Sequence, residues 1–284
     1  MTTNHKIALV TDSAADIPPE LAEEHQIQIV PLYMIIDGQS IEDGQGLSRS
    51  EFYERMPTML KSPTTATPSS ISFQEVYERL LSGGAEQVIS IHTASTLSGI
   101  FNSACLGAAP FGERVQVVDS GQLSLGLGFQ VLAAASAIQN GASIEELLEV
   151  LRECYKRSRV VAMLDTLEYV RRSGRVSWAR ARLGALLNLK PFIEVRTGQV
   201  LRIGEARTRR NGIERLKQII LNLGAIDRLA MLHSNAEAEA RQILAELLQT
   251  IKPNLSTQPL VVNVTSIIGV HIGPNGLGCA ALLK

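Results

Sequence analysis

Residues 6–19 read KIALVTDSAADIPP. The run KIALV is short and apolar, as a buried strand requires. Thr11-Asp12-Ser13 ends it, and Asp16 is placed to cap a helix that begins at Ile17-Pro18, because proline suits a first helical turn. A strand passing straight into a helix is the opening step of a parallel α/β layer. Working outward, the alternation recurs. Residues 27–30, 33–36, 87–91 and 115–118 are strand-like, and Asp37-Gly38 marks a small hairpin. Residues 50–60 show helical spacing at Phe52, Met56 and Met59, and further helices are expected over 71–81, 102–106, 123–139 and, from a Ser143 cap, to about 157. Two hydroxyl-rich loops separate them, at 62–70 (SPTTATPSS) and 93–98.

Past residue 158 the pattern changes. Strands are expected at 160–164, 228–233 and 261–264. Thr197-Gly198 sits as a hairpin turn between 192–195 and 199–203. Residues 167–175 are basic and end in a turn, 181–189 form an apolar helix, and 212–223 and 236–248 are helical. The fold class is therefore α/β. Residues 1–158 form one α/β domain with a mainly parallel sheet, and 159–284 form a second with a mixed sheet. No long Gly/Ser or Pro linker parts them, so the halves are expected to pack closely.

Composition narrows the function. The 284 residues include 27 basic and 28 acidic side chains, a net charge of −1, which gives no general attraction to nucleic acid or anionic membrane. Hydrophobic residues make up 45% but aromatics only 4%, so the core must be aliphatic. Cys105, Cys154 and Cys279 are scattered and odd in number, which suits small buried hydrophobes in a reducing compartment rather than zinc ligands. No 18-residue stretch is apolar throughout, so no membrane span is expected. Residues 1–6 lack a signal peptide's apolar run, and the expected location is the cytoplasm.

Three loops carry hydroxyls without an adjacent base: Thr11-Asp12-Ser13, Thr64 to Ser69, and Ser95 to Gly99. At the carboxyl edge of a parallel sheet, hydroxyls and free helix N–H groups suit a carboxylate or phosphate, although plain helix capping explains any one loop taken alone. Serine-hydrolase chemistry lacks its signs. GxSxG is absent, Ser124 misses the spacing, and of the five histidines only His92 and His271 lie beside candidate loops. Gly126-Leu127-Gly128 lacks the third glycine of a dinucleotide fingerprint, and residues 269–276 lack the lysine of a P-loop. A phosphate-binding module is disfavoured because 95–99 contains no Lys or Arg. His271, among tail glycines, is a candidate donor to an anion.

Read together, the loops resemble the DegV family, whose members bind fatty acids and serve bacterial fatty acid kinases in lipid metabolism. The matching pieces are Thr11-Asp12-Ser13, residues 64–69, 95–99, Asp119-Ser120, 167–175, Lys190-Pro191 and His271 to Pro274, in order along the chain. The resemblance implies a fatty acid between the two domains, presented to a partner fatty acid kinase by a chain that is not itself an enzyme and needs no cofactor or metal. It implies that Thr65 and Ser98, with Ser95 nearby, hold the carboxylate, and that Arg175 and His271 assist. The resemblance also suggests Arg207 for docking the kinase, and Arg171, Arg172, Arg175, Arg207, Arg209 and Arg210 cluster as a basic set that is the candidate docking face. The apolar stretches 123–137 and 183–189 would wall the slot. The alternative is a hydrolase or transferase acting on acyl or phosphate esters at the same loops. Departures are Ala66-Thr67 for Ser-Gln, Ile100 for Thr, Ser173 for Gly, and Asn275-Gly276 for Gly-Ala.

Overall fold

The computed structural model of the chain describes residues 7–176, 189–251 and 255–284. Its first strands are β1 (Ile7–Asp12), β2 (Ile27–Val30), β3 (Tyr33–Ile36), β4 (Gln39–Glu42), β5 (Thr64–Ala66), β6 (Gln87–His92) and β7 (Val115–Asp119). They form a parallel sheet in the order β2-β1-β6-β7 and a small antiparallel sheet in the order β4-β3-β5. Strand β5 lies inside the segment expected to be a loop. Its β-branched threonines complete the open edge of β3, with Thr65 opposite Met34.

Helices α1 (Pro19–Glu24), α2 (Arg49–Arg55), α3 (Ser70–Ser82), α4 (Ile100–Ala108), α5 (Ser124–Gln139) and α6 (Ile144–Arg157) come from the same half. Ser143 caps α6 in a reciprocal box with Glu146, as its position suggests. Asp16 does not cap α1. It stands in a left-handed conformation before Pro18, and α1 starts without a side-chain cap. Its carboxylate is used elsewhere, as described below.

The remaining elements are β8 (Ser158–Met163), α7 (Glu168–Ser173), β9 (Lys190–Arg196), β10 (Gln199–Ala206), α8 (Arg209–Leu221), β11 (Ile226–His233), α9 (Glu237–Ile251), β12 (Leu260–Asn263), α10 (Ser266–Ile272) and β13 (Leu277–Leu283). The strands make one mixed sheet, β10-β9-β8-β13-β11-β12, in which only β11 and β12 run parallel. The glycine-rich tail is thus a short helix and a central strand. The apolar helix expected over 181–189 lies, except for Leu189, outside the described residues. No helix among the described residues is long and apolar enough to cross a membrane. Cys154 and Cys279 are buried and Cys105 is half-buried, all three as free thiols.

The mixed sheet separates two cores by its two-residue period. Val160, Ala230, Leu232 and Ala280 face the first half, whereas Val161, Met231, Cys279 and Ala281 face α8 and α9. Helix α5 fills the space between the two sheets, packing on β1 and β6 on one side and on β8 and β13 on the other. It is buried nearly all round, which is why its sequence carries no polar stripe. Gly126 and Gly128 make the fit possible: a Cβ at Gly126 would lie 2.6 Å from Val160 Cγ2, and one at Gly128 would lie 2.7 Å from the Ala15 carbonyl oxygen. These two glycines serve packing.

Gly128→Ala tests this arrangement. Helix propensity alone would stabilise the substitution by about 1 kcal/mol, but overpacking against main chain costs about 1–3 kcal/mol. The expected result is a lower urea midpoint, and a raised midpoint would show that α5 has slack.

Candidate functional site

A cavity of about 120 Å³ lies between the halves, lined by residues from both. Its walls are mostly apolar, including Leu32, Leu97 and Leu123 from the first half and Val170, Val176, Ile193, Val195 and Ile268 from the second. A further lobe of about 60 Å³ continues it under β8 and β13, and the two share Leu123, Ile193, Val195, Ile268 and Ile272. Of the stretch 123–137, only Leu123 and Ser124 reach these lobes, and the rest of α5 is core. Residues 183–188 lie outside the described residues.

One end of the slot is polar. Thr65, Ser98, Arg175 and His271 all line it, brought together from β5, the loop before α4, the turn after α7 and the last turn of α10. Thr65 Oγ1 and His271 Nε2 are 3.3 Å apart. His271 Nδ1 is buried and has no hydrogen-bond partner among the described residues. Ser98 Oγ accepts from the Ile100 N–H at 3.3 Å. Arg175 donates from one guanidinium nitrogen to the Leu97 carbonyl at 2.8 Å. A cation therefore does reach the 95–99 loop, supplied from 78 positions away, which a local search for Lys or Arg in that loop misses. Ser95 is exposed and does not line the cavity, and its N–H donates to Asp119 at 3.2 Å.

The Thr11-Asp12-Ser13 loop is consumed internally. Thr11 donates to the Ile91 carbonyl and Ser13 Oγ accepts from the Leu32 N–H. Asp12 accepts from the Ala14 N–H, from the Thr93 N–H and hydroxyl, and pairs with His92 Nδ1 at 3.0 Å. His92 Nε2 lies 2.7 Å from Ser90 Oγ. This Asp-His-Ser chain has the connectivity of a hydrolytic triad, and sequence spacing did not reveal it. All three residues are fully buried, and Ser90 Oγ accepts from the Tyr77 hydroxyl at 2.9 Å. None of the three lines the slot. The network instead holds Ala14 and Thr93, which do line it.

Arg207 is exposed. Arg209 is turned inward, against its expected role as a free docking cation. It forks onto Glu239, lies 3.5 Å from Asp165 and donates to the Asn275 carbonyl at 2.8 Å. The Glu239 hydrogen bond, ahead of its charge, pushes its pKa further up.

Asp16, read from sequence as a cap, ties the site together. It accepts from Ser124 Oγ at 2.6 Å and from the Thr265 N–H at 2.7 Å, and it lies 3.2 Å from Arg49. Thr265 caps α10, so Asp16 anchors the helix that carries Ile267, Ile268, His271 and Ile272 into the slot. Ser124, at φ +50°, is held in a left-handed conformation by the same bond.

Comparison with known proteins gives one consistent result. The family described as "uncharacterised protein, DegV family" matches residues 6–284. Protein DegV of Bacillus subtilis is 34% identical over 284 residues, covering 98% of this chain and 99% of that one. A DegV domain-containing protein of Deinococcus radiodurans is 33% identical over 279 residues, covering 96% and 97%. Among solved structures, a DegV family protein from Thermus thermophilus, described by its fatty acid binding, has a TM-score of 0.88 at 32% identity, covering 98% and 100%. DegV from Bacillus subtilis, described as a fatty acid binding protein, has a TM-score of 0.85 at 33% identity, covering 98% and 99%.

Two buried groups give the site opposite pH responses. Burial, only partly offset by half-exposed Arg49, raises the Asp16 pKa from 3.8 to about 6. The folded chain then holds more protons than the unfolded one, so this contribution to stability is full below about 3.8 and lost as pH rises through about 6. Burial, then the Arg175 charge, lowers His271 from 6.5 to about 4. Its contribution is full above about 6.5 and lost as pH falls through about 4. The slopes oppose each other between roughly pH 4 and pH 6. Asp16→Asn is expected to make stability rise more steeply with pH across that window, and His271→Gln to make it fall, by urea denaturation at stepped pH. Parallel curves for wild type and both variants would refute these assignments.

Proposed function

This chain belongs to the DegV family, and we propose that it binds one long-chain fatty acid in the slot and presents the carboxylate to a partner fatty acid kinase. The supporting observation is the pairing of an apolar two-lobed slot with one polar end built from Thr65, Ser98, Arg175 and His271. Removing an acyl chain from water gains about 0.8 kcal/mol per CH₂, on the order of 10 kcal/mol for sixteen carbons before association costs. The carboxylate must be hydrogen-bonded where it is buried. The Ser98 hydroxyl donates to it, the bonded Thr65–His271 pair adds one more donor, from Thr65 in the Nε2–H tautomer or from His271 Nδ1 when Thr65 donates to Nε2, and the Arg175 guanidinium supplies the opposite charge. Residues 1–158 and 159–284 act as two domains that grip the acyl chain.

In the reaction this chain serves, a carboxylate oxygen attacks the γ-phosphorus of a nucleoside triphosphate held by the kinase. The new O–P bond forms as the β–γ bridging P–O bond breaks, and the electron pair leaves with the nucleoside diphosphate. The chain itself only positions the acid. An esterase reading would have to use the Thr65–His271 pair on the slot, because the Ser90–His92–Asp12 chain stands behind its wall.

Native mass spectrometry of the purified chain, followed by organic extraction, is expected to show a mass excess matching one fatty acid. Clean apo protein that takes up neither palmitate nor oleate, or ester turnover by the chain alone, would refute the reading. Thr65→Val with Ser98→Ala is expected to weaken binding by about 10- to 100-fold, the worth of hydrogen bonds to a charge. Arg207→Glu is expected to slow kinase turnover with lipid content unchanged, and loss of lipid instead would refute a docking role.

A further inference from the structure

Residues 95–99 form a stretch of slot wall that is also molecular surface. Leu97 and Ser98 line the slot, while Ser95, Thr96 and Gly99 are exposed. The stretch is set between Ala94 and Ile100, both fully buried, and the Ala94 N–H donates to the Gln122 carbonyl at 2.8 Å. Within its own half, the Ser95 N–H donates to Asp119 at 3.2 Å. Two bonds from the second half hold the middle, and both lie at the surface. The Thr96 hydroxyl donates to the Gly198 carbonyl at the tip of the β9–β10 hairpin, and Arg175 donates to the Leu97 carbonyl at 2.8 Å. The hairpin tip is the fixed partner of this contact. Its Gly198 N–H donates to the Gly121 carbonyl at 2.8 Å, and the Tyr155 ring fills the space where a Gly121 Cβ would stand. Behind the tip, buried Gln122 donates to the Val195 carbonyl of β9 at 3.0 Å. Where the halves meet at the start of α10, by contrast, the joining groups are buried: Asp16 accepts from the Thr265 N–H, and Tyr53 donates to the Val264 carbonyl.

We propose that residues 95–99 are a gate in the slot wall, swinging between Ala94 and Ile100, and that the Thr96–Gly198 bond is its latch. The inference rests on the fatty acid reading above. A chain enclosed between two halves can exchange only when a stretch of wall moves. Segments with exposed backbone and solvent-exposed hydrogen bonds open locally at the lowest free energy, and residues 95–99 have both properties, whereas the α10 joint has neither. Leu97 is the leaf of the gate, because its side chain faces the slot and its carbonyl is held from outside. Thr96 and Gly198 do not line the slot, so the latch can be weakened without touching the ligand. The latch closes the empty and the loaded chain alike. Weakening it therefore speeds uptake and release by one factor and leaves affinity unchanged.

The test follows uptake of fluorescent cis-parinaric acid by the full chain, and its release into excess oleate, by stopped flow. Thr96→Val removes the latch donor and is expected to raise both rates about fivefold, the worth of one hydrogen bond, with the dissociation constant unchanged. In the lipid-free chain, amide hydrogen exchange over residues 95–99 is expected to rise by the same factor, with the rest of the chain as in wild type. Thr96→Cys with Gly198→Cys adds a lock. A Cβ at Gly198 would lie 3.4 Å from Thr96 Oγ1 and 3.8 Å from Thr96 Cγ2, within reach of a disulfide. The oxidised form is expected to release lipid at least tenfold more slowly than the same protein reduced, and the reduced form carries the same backbone strain, so the comparison isolates the crosslink. Weaker affinity in Thr96→Val without faster uptake would reduce Thr96 to a structural role and overturn the gate. Unchanged amide exchange over residues 95–99, or equal release from the oxidised and reduced forms, would overturn it too. A wild type that binds no fatty acid would refute the fatty acid reading, and the latch would then stand or fall on amide exchange alone.

Discussion

Helix α5 must be buried on two opposite faces at once, and much of the molecule follows from that constraint. It packs on β1 and β6 of the parallel sheet and on β8 and β13 of the mixed sheet. A helix so enclosed can carry no polar stripe, and it can approach both sheets only if its own bulk is trimmed where they come nearest. Gly126 supplies that trimming against Val160 of β8, and Gly128 supplies it against the Ala15 to Ile17 segment that follows β1. The two sheets are then held at a fixed separation, and the slot is the space left where α5 begins. Ser124, its first residue, and Leu123 just before it are the part of this stretch that reaches the slot.

The same place concentrates the polar burial that the aliphatic core cannot absorb. Asp16 is fully buried and joins the α5 start, the α10 cap and Arg49. A buried carboxylate is costly unless several donors meet it, and here the donors come from segments more than 100 residues apart in sequence. The cost is set against geometry. This joint fixes the start of α10 together with Tyr53 and Asp43, which bond Val264 and Thr265, and so positions His271, in the last turn of that helix, against Thr65.

The alternation from KIALV onward made the parallel layer, the change past residue 158 and the Thr197-Gly198 hairpin legible, because side-chain period is a local property. Thr65, Ser98, Arg175 and His271 could be named from short motifs in order along the chain, and the structure brings all four to one end of one cavity. What escaped was non-local. Asp16 has the local look of a cap, yet its partners are Ser124 and Thr265. Ser90 and His92 are two residues apart on one strand, so their side chains share a face, but Asp12 joins them only through the pairing of β1 with β6. Arg209 reads as a free surface cation because Glu239 and Asp165 are far from it in sequence. Strand β5 looked like a loop because the edge it completes belongs to β3.

The tail shows how a departure from the family pattern can leave the site standing. Asn275-Gly276 occupies the place of the usual Gly-Ala. Asn275 adopts φ +61°, a left-handed conformation that asparagine tolerates better than most residues. At Gly276 a Cβ would lie 2.9 Å from Ser234 Oγ, closer than real contacts allow. Ser234 cannot easily give way, because its hydroxyl donates to the Gly273 carbonyl and accepts from the Gly276 N–H, while its own carbonyl accepts from the Asn275 N–H. In this chain the glycine stands where Ser234 needs the room, and asparagine holds the left-handed position. Ser234 thus clamps the far end of α10 as Asp16 clamps its start. The helix bearing His271, Ile268 and Ile272 is fixed at both ends by polar side chains, Asp16 at its start and Ser234 beyond its end.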